Sequence, residues 1–248
     1  MQRRSFVAAA AGAPLLNTSM QAQTKSPAIL EMRWFRCRNT MDAQRAKLGD
    51  FLAKKLVPAM KSAGAGPIGL FQTAIGNEAP SVLLVAQHAS ASAFDQCWAK
   101  NPAIEGADLP FQRMEVQLLR GFPGFPAVEV PAAPATGSRI FELRTYESNT
   151  PTSLAAKIDM FQKGEIDYFR KYGLLPIFFG EMIAGPRMPN LTYMVAFDNF
   201  AAREANWKAF GGSPEWAKMR VTPGWADGQV VSNITNQILT PVAGSEIR

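Results

Sequence analysis

The sequence predicts an α+β protein built from two tandem copies of one β-α-β-β-α-β unit, on three observations. The first is internal similarity: residues 29–35 (ILEMRWF) match residues 140–146 (IFELRTY) at a shift of 111 positions. The second is that paired glycines and tryptophans keep the same order at a shift of 109, namely Gly64 with Gly173, Gly76 with Gly185 and Trp98 with Trp207. The third is that each half repeats the same succession of strand and helix patterns. Ordered matches across half a chain indicate duplication.

The second copy, residues 138–241, shows the pattern most clearly. Alternation of β-branched and aromatic residues predicts strands over 139–147, 175–184, 191–197 and 229–240. Thr152 or Ser153 is expected to cap a helix that ends at Gly173, and Asp198 or Asn199 a helix that ends at Phe210. An extra helical turn is predicted over 214–220.

The first copy, residues 28–120, gives strands over 28–36, 67–75, 81–87 and 111–119 and helices over 41–62 and 92–99. This order is the ferredoxin-like unit, a four-stranded sheet with helices on one face. The other face needs a cover, and a second sheet supplies one. We therefore expect a dimeric α/β-barrel-type arrangement, with an internal pseudo-dimer and a homodimer both open. The proline- and glycine-rich stretch 121–137 is interpreted as the linker between the copies.

The N-terminus has the features of a twin-arginine signal peptide. Arg3 and Arg4 precede Ser-Phe-Val and a short, weakly apolar stretch, which is too short to span a bilayer. Cleavage after Ala22 would start the mature chain near Gln23. We therefore expect residues 1–22 to direct export of an already folded protein to the periplasm.

Composition narrows the function classes. Without Arg3 and Arg4 the chain has 24 basic and 20 acidic residues, a net charge of +4, and no basic run, so the sequence does not indicate nucleic-acid binding. Past the signal, no segment has the length of a membrane span. Cys37 and Cys97 stand outside any CxxC pair and are interpreted as buried free thiols. No histidine or thiolate cluster suggests a metal site.

Several motifs of the second copy resemble the NIPSNAP family. Residues 141–146 (FELRTY) resemble the family's opening ELRxY strand, residues 181–185 its second strand with a trailing glycine, and Trp207 with 213–216 (SPEW) its closing segment. The resemblance covers 139–240; the first copy matches weakly, because Asn101-Pro102 is not followed by Glu-Trp. It implies the dimeric α/β-barrel fold that small monooxygenases and haem-handling proteins share, and no assigned reaction.

The candidate catalytic residues are Glu142, Arg144 and Glu165. Period-two geometry puts Glu142 and Arg144 on one sheet face, and we expect them to point to the barrel interior, either as an anion-orienting pair or as an interface ion pair. Glu165 falls within an apolar helical stripe, where a carboxylate needs a partner or acquires a raised pKa. Gly164 could instead turn it to solvent.

The remaining candidates concern ligand binding. His88, the only histidine, is a weak candidate for haem and is expected to be a solvent-exposed strand-end residue. Candidate pocket residues are Tyr146, Phe179, Glu181, Trp207 and Trp216. Three functions stay open: binding of a small, partly apolar molecule; an oxygenase-type enzyme, cofactor-free or haem-dependent; and a structural module with a filled barrel. No cofactor is specified.

Overall fold

A computed structural model describes residues 26–39, 43–104, 109–132 and 139–248; the predicted signal, 1–22, lies outside them. Eight strands alternate with helices along the chain, namely β1 (Ile29–Arg36), β2 (Ile68–Ile75), β3 (Ser81–His88), β4 (Arg113–Gly121), β5 (Ile140–Glu147), β6 (Leu175–Ala184), β7 (Asn190–Phe197) and β8 (Asn233–Pro241). They close into one barrel in the order β1-β3-β2-β8-β5-β7-β6-β4. Every neighbouring pair is antiparallel.

The barrel consists of two four-stranded sheets with the same internal order. In the first half the order is β4-β1-β3-β2, and in the second it is β8-β5-β7-β6. The halves join at two seams, β2 with β8 and β4 with β6. Both seams lie within this chain, so the second sheet that each half needs is supplied by the other half.

Helices cover the outside of each sheet. In the first half α1 (Gln44–Phe51) continues through a π-helical turn (Leu52–Leu56) into α2 (Val57–Ser62), followed later by α3 (Ala91–Trp98). The second half has α4 (Pro151–Met160), a π-helical turn (Phe161–Glu165), α5 (Ile166–Lys171), α6 (Phe200–Gly211), α7 (Pro214–Met219) and α8 (Asp227–Val230). Among the described residues, no helix combines the length and the apolar character that a membrane crossing requires.

Two predicted boundaries in the second half were wrong. Thr150, not Thr152 or Ser153, caps α4: its side chain accepts a hydrogen bond from Ser153 N, and Pro151 supplies the fixed φ of the first helical position. Residues 229–230 belong to α8, so β8 begins at Asn233. The Asn199 alternative for the cap of α6 is confirmed, because Asn199 Oδ1 accepts from Ala202 N at 2.9 Å.

The predicted orientation of Glu142 and Arg144 was also wrong. Phe141 and Leu143 pack inside the barrel with residues of both halves, whereas Ile140 and Tyr146 pack against the second-half helices. Strand alternation therefore places Glu142 and Arg144 under the helices. The physical reason is that a closed barrel interior excludes helices as well as water, so the fully apolar set fills it. Polar side chains from α6 can reach only the outer face.

The predicted linker is partly packed structure. Phe122 and Phe125 are buried with the second-half helices, and Pro126 O accepts a hydrogen bond from Ala28 N at 2.8 Å. Glu129 N donates to Ile177 O at 2.8 Å. Residues 121–132 thus hold the start of β1 and the edge of β6 together, while 133–138 lie outside the described residues.

Candidate functional site

The helix side of β5 carries a polar cluster that surrounds the carboxylate of Glu142, which is fully buried. Arg144 Nη1 donates to Oε1 at 2.8 Å, and Arg203 of α6 donates through Nε and Nη2 at 2.8 and 2.9 Å. Trp207 Nε1 donates to Oε2 at 2.8 Å. The bidentate geometry and the indole donor fix the carboxylate in place. Sequence reasoning found Glu142, Arg144 and Trp207, and missed Arg203.

A chain of hydroxyl groups continues this cluster. Arg144 Nε donates to the Tyr146 hydroxyl at 3.2 Å, and the Tyr193 hydroxyl of β7 donates to the same oxygen at 2.9 Å. The Arg144 guanidinium also lies over the Trp207 ring, 4.7 Å from its centroid. Glu142, Arg144, Tyr146, Tyr193, Arg203 and Trp207 are called the second-half polar cluster below.

The pKa values in this cluster follow from burial and charge. Burial alone would raise the pKa of Glu142, but the hydrogen bond from Arg203, the charge of Arg144 and the hydrogen bond from Trp207 outweigh it and lower the pKa. Burial would lower the pKa of Arg144, yet the neighbouring Tyr193, Tyr146 and Glu142 leave it raised. Burial raises the pKa of Tyr193 well above its ordinary value. Glu142 and Arg144 therefore stay ionised, and Tyr193 stays neutral.

A buried ion pair lies beside the polar cluster. Lys157 Nζ of α4 is 3.1 Å from Glu165 Oε2, and the two side chains are 1% and 2% exposed. The ammonium group lies 5.6 Å from the centroid of the Tyr146 ring and 5.5 Å from that of Trp216. Gly164, with φ of 149°, lies in the π-helical turn just before Glu165. Of the two alternatives for Glu165, the structure supports the buried carboxylate.

The first half lacks this ion pair. The π-helical turns correspond at a shift of 109 residues, so Lys157 and Glu165 correspond to Leu48 and Leu56. Both leucines are buried. The fold is therefore built once with two leucines and once with a lysine and a glutamate. That comparison along the sequence is the signal that would have identified Lys157.

The other predicted ligand residues have different surroundings. Phe179 stacks on Tyr193 with ring centroids 5.2 Å apart, and Trp216 packs on Phe210 at 4.9 Å. Both belong to the packed layer between sheet and helices. Glu181 is in register with Arg120 across the β4–β6 seam. Within the described part of the chain, it forms no hydrogen bond or ion pair with the polar cluster.

The first half has a smaller polar cluster around Glu31, the counterpart of Glu142. Arg33 Nε donates to Glu31 Oε1 at 2.6 Å, and Nη1 donates to Asn101 Oδ1 at 2.8 Å. His88 Nε2 lies 2.9 Å from Glu31 Oε2. The expectation of a solvent-exposed His88 was wrong, because the residue is 1% exposed. With Nε2 against Glu31 and the ring against Phe94, His88 does not fit the role of a haem ligand.

A pocket of about 340 Å³ opens between the first-half sheet and its helices. Its walls are apolar and Arg33 lines one side, the other members including Phe35, Phe51, Leu56, Phe111 and Met114. Trp98 and Asn101 also line it, and the Arg33 guanidinium lies over the Trp98 ring at 4.7 Å. It is called the helix-side pocket below.

The second half fills the corresponding space. At a shift of 109 residues Asn101 corresponds to Phe210, which is 4% exposed and packs on Trp207 and Trp216. The same shift aligns Trp216 with Ala107 in the sequence. Replacement of Phe210 by Asn101 and the loss of an indole therefore account for the open volume in the first half.

Metal ligands and thiols add little to these sites. No group of three or more His, Cys, Asp or Glu side chains in the described ranges could hold a metal ion. Cys37 and Cys97 are buried free thiols, as predicted. Burial raises the pKa of Cys97, which makes its thiolate unfavourable.

Solved structures share the fold over nearly the whole chain. A candidate monooxygenase from Lactobacillus acidophilus NCFM is 10% identical with a TM-score of 0.57, covering 87% of this chain and 94% of its own. An anthrone oxidase-like protein is 11% identical with a TM-score of 0.55, covering 88% and 93%. At such identities the likeness shows the fold alone. No functionally curated protein matches the chain.

The second half matches a family directly. An uncharacterised NIPSNAP-like domain protein from Burkholderia xenovorans is 18% identical, covering 43% of this chain and 88% of its own, with a TM-score of 0.39. The NIPSNAP family model matches residues 141–246. The NIPSNAP resemblance predicted from the β5, β6 and α7 motifs is thereby confirmed for the second half of the chain.

Proposed function

We propose that this protein is an exported NIPSNAP-family protein that binds a small, partly apolar molecule in the helix-side pocket of its first half. The observation that carries the proposal is an apolar pocket of about 340 Å³ with a buried guanidinium on its wall. Ligand sites in proteins are apolar concavities of roughly 300–1,000 Å³ with a few placed polar groups. The pocket has both properties.

Arg33 has hydrogen-bonding capacity left for a ligand. Its Nη2 lies 2.5 Å from Glu31 Oε1, but no N–H of Nη2 is aligned for a hydrogen bond with that oxygen or with another described atom. Buried donors require an acceptor. A carbonyl or carboxylate oxygen of a bound molecule would supply one.

Trp98 offers a second donor. In the second half the indole N–H of Trp207 donates to Glu142, but His88 occupies the corresponding oxygen of Glu31. Among the described residues, the Trp98 indole N–H donates to none. The ligand class that fits is a flat apolar molecule with one carbonyl or carboxylate group.

Isothermal titration calorimetry with 2-naphthoate tests this proposal, because the probe combines an apolar bicycle with one carboxylate. Asn101→Phe copies the second-half residue into the pocket and should weaken binding by at least about tenfold. Gln96→Phe, on the exposed side of α3, is the matched control and should bind like the wild type. Wild-type protein without a binding signal, or equal binding by Asn101→Phe, would remove the helix-side pocket as the site for this class.

The second candidate function is an oxygenase-type enzyme in the second half. The observation in its favour is the Lys157–Glu165 pair beside Tyr146 and Tyr193, since the first half folds with leucines there. Glu165 would remove a proton from a substrate carbon, and dioxygen would oxidise the resulting carbanion. For anthrone, one dioxygen would yield anthraquinone and one water.

Oxygen uptake with anthrone as the probe tests the enzyme hypothesis. Glu165→Gln should abolish uptake above the uncatalysed rate, and the exposed Glu204→Gln on α6 should leave it unchanged. If wild-type protein does not accelerate uptake, or if Glu165→Gln keeps the full rate, the base role of Glu165 is wrong for this substrate.

Export to the periplasm is the remaining part of the proposal, and the Arg3-Arg4 motif supports it. Replacement of both arginines by lysine should retain the protein in the cytoplasm with residues 1–22 attached. The wild-type protein in the periplasmic fraction should have the intact mass of a chain that starts near Gln23. Equal periplasmic amounts of both proteins would contradict the twin-arginine route.

A further inference from the structure

We infer a second, separate binding site at one mouth of the barrel, for an uncharged planar cyclic amide or imide that pairs with the carboxamides of Gln117 and Gln237. A cavity of about 500 Å³ opens there, with Met32, Trp34 and Leu143 among its apolar lining residues and Thr145 beside the two glutamines. It is called the barrel-mouth cavity below. It lies inside the barrel, whereas the helix-side pocket lies outside it.

The two glutamines occupy matching positions in the two halves. Gln117 is the fifth residue of β4 and Gln237 the fifth residue of β8. Gln237 packs over Gly76, where an added Cβ would lie 2.9 Å from its Oε1, and Gln117 packs near Gly185, whose added Cβ would lie 3.4 Å from its Cγ. The glycine pair recognised in the sequence thus makes room for one glutamine at each seam.

Both carboxamides have unused hydrogen-bonding capacity. Gln117 is 7% exposed and lines the cavity, yet its side chain has no hydrogen-bond partner within the part of the chain that the structure describes. Gln237 Oε1 is buried and likewise has no partner there. Such groups cost about 1–3 kcal/mol each when nothing satisfies them. Two of them on one cavity indicate a ligand that supplies the missing donors and acceptors.

The chemistry of the ligand follows from the carboxamide. A glutamine side chain presents one acceptor oxygen beside one donor NH₂. The complementary edge has an adjacent N–H and C=O, as in a lactam or a cyclic imide, and the two groups then form parallel hydrogen bonds. The apolar lining from Met32, Trp34 and Leu143 suits a flat ring system.

The rim charges favour an uncharged ligand. Arg36 forms ion pairs with Glu78 at 3.0 Å and with Glu115 at 3.3 Å, so its charge is already compensated. Arg187 is exposed and donates to Thr235 Oγ1 at 3.0 Å. With two cations and two anions at the rim, the cavity selects neither an anion nor a cation.

Backbone strain marks the same rim. Glu78 and Arg187 have φ of 59° and 58°, the left-handed region that side chains other than glycine rarely adopt. They correspond at a shift of 109 residues, in the β2–β3 and β6–β7 turns. Strained residues concentrate at binding sites, where the surrounding structure holds them.

Fluorescence anisotropy with lumazine tests the inference, at a mildly acidic pH where this pteridinedione is uncharged. Wild-type protein should raise the anisotropy with a Kd below about 1 mM. Gln117→Leu and Gln237→Leu should each weaken binding by at least about tenfold, because an amide edge of the ligand would lose its partner. Gln96→Leu, an exposed helix position, is the matched control and should bind like the wild type.

A ligand-side comparison keeps the test independent of how the variants fold. 3-Methyllumazine lacks the imide N–H and should bind wild-type protein at least about tenfold more weakly than lumazine. Asn101→Phe should leave lumazine binding unchanged, which separates this site from the helix-side pocket. Equal binding of the two probes, or wild-type affinity in both glutamine-to-leucine variants, would overturn the barrel-mouth assignment.

Discussion

At the scale of single residues, the Lys157–Glu165 pair is the feature that the fold least requires. Two buried charges are costly to desolvate, and well-packed apolar residues often replace such a pair at no loss or with a gain of about 1–4 kcal/mol. This chain performs that replacement itself, since Leu48 and Leu56 occupy the same places in the first half. A functional reason for the pair is therefore more economical than a structural one.

The double variant Lys157→Leu/Glu165→Leu should be at least as stable as the wild type, by urea unfolding followed by circular dichroism. Each single replacement should lower the free energy of unfolding by about 3–5 kcal/mol, because it leaves one buried charge without its partner. The exposed pair Lys54–Asp50 is the control, and Lys54→Leu should cost less than about 1 kcal/mol. A double variant less stable than both single variants would show that the pair is structural.

Glu142 should make stability depend on pH in a defined direction. Its folded pKa is lowered, so the ionised carboxylate stabilises the protein above the unfolded pKa of about 4.3, and this contribution is lost as the pH falls through the folded pKa. Glu142→Gln should therefore cost about 3 kcal/mol near neutral pH and progressively less below pH of about 4.

Urea titrations at several pH values measure this difference. Glu204→Gln, on the exposed side of the helix that carries Arg203, is the control and should change stability by less than about 0.5 kcal/mol throughout. A constant difference between wild type and Glu142→Gln down to the lowest pH would contradict the assignment of an ionised, hydrogen-bonded Glu142.

At the scale of elements, the π-helical turn between α4 and α5 directs Glu165 inward. Gly164 has φ of 149°, and an added Cβ would lie 3.0 Å from Met219 Cε. Gly164→Ala should therefore destabilise the protein by about 1–3 kcal/mol. Gly49→Ala is the matched control: Gly49 lies in α1 with nothing near its Cβ position, so it should stabilise by about 0.4–1 kcal/mol. Similar effects of the two variants on the thermal midpoint would contradict the strain at Gly164.

The sequence predicts which elements exist better than it predicts their orientation. Alternation and capping residues located every strand, because these signals are local. Alternation also separated Glu142 and Arg144 from Phe141 and Leu143, but it does not tell which face lies inside a closed barrel. That choice depends on Arg203 and Trp207, which approach from a helix about 60 residues away.

The helix-side pocket was outside the reach of sequence reasoning for a similar reason. Attention went to the second half, where the family motifs are, yet the open volume lies in the first half. The pocket results from small side chains where the second half has large ones, and only the superposition of Asn101 on Phe210 reveals it. The weaker family match of the first half is thus itself a consequence of opening this space.

At the scale of the whole molecule, each half supplies the other with a sheet and with two strand edges. β2 pairs with β8, and β4 pairs with β6. Because β2 corresponds to β6 and β4 to β8, a second copy of either half offers the same edges. The predicted homodimer and internal pseudo-dimer are therefore two versions of one arrangement, and the tandem chain makes the contact intramolecular.

The second half expressed alone, residues 139–248, should form a homodimer that rebuilds the barrel. By itself its sheet would expose Phe141, Leu143 and Met194 and leave β6 and β8 as open edges, an arrangement that water and edge pairing both disfavour. In a two-fold dimer β8 of one copy would pair with β6 of the other. Light scattering coupled to size-exclusion chromatography should give twice the mass of the fragment, and the mass of one chain for the mature full-length protein. Leu143→Glu should abolish the fragment dimer, because it places a charge in the sheet-to-sheet contact, whereas the exposed Lys208→Glu on α6 should keep it. A fragment that is folded and monomeric would show that one sheet can stand without the other, and the mutual covering of the two sheets would then not explain the duplication.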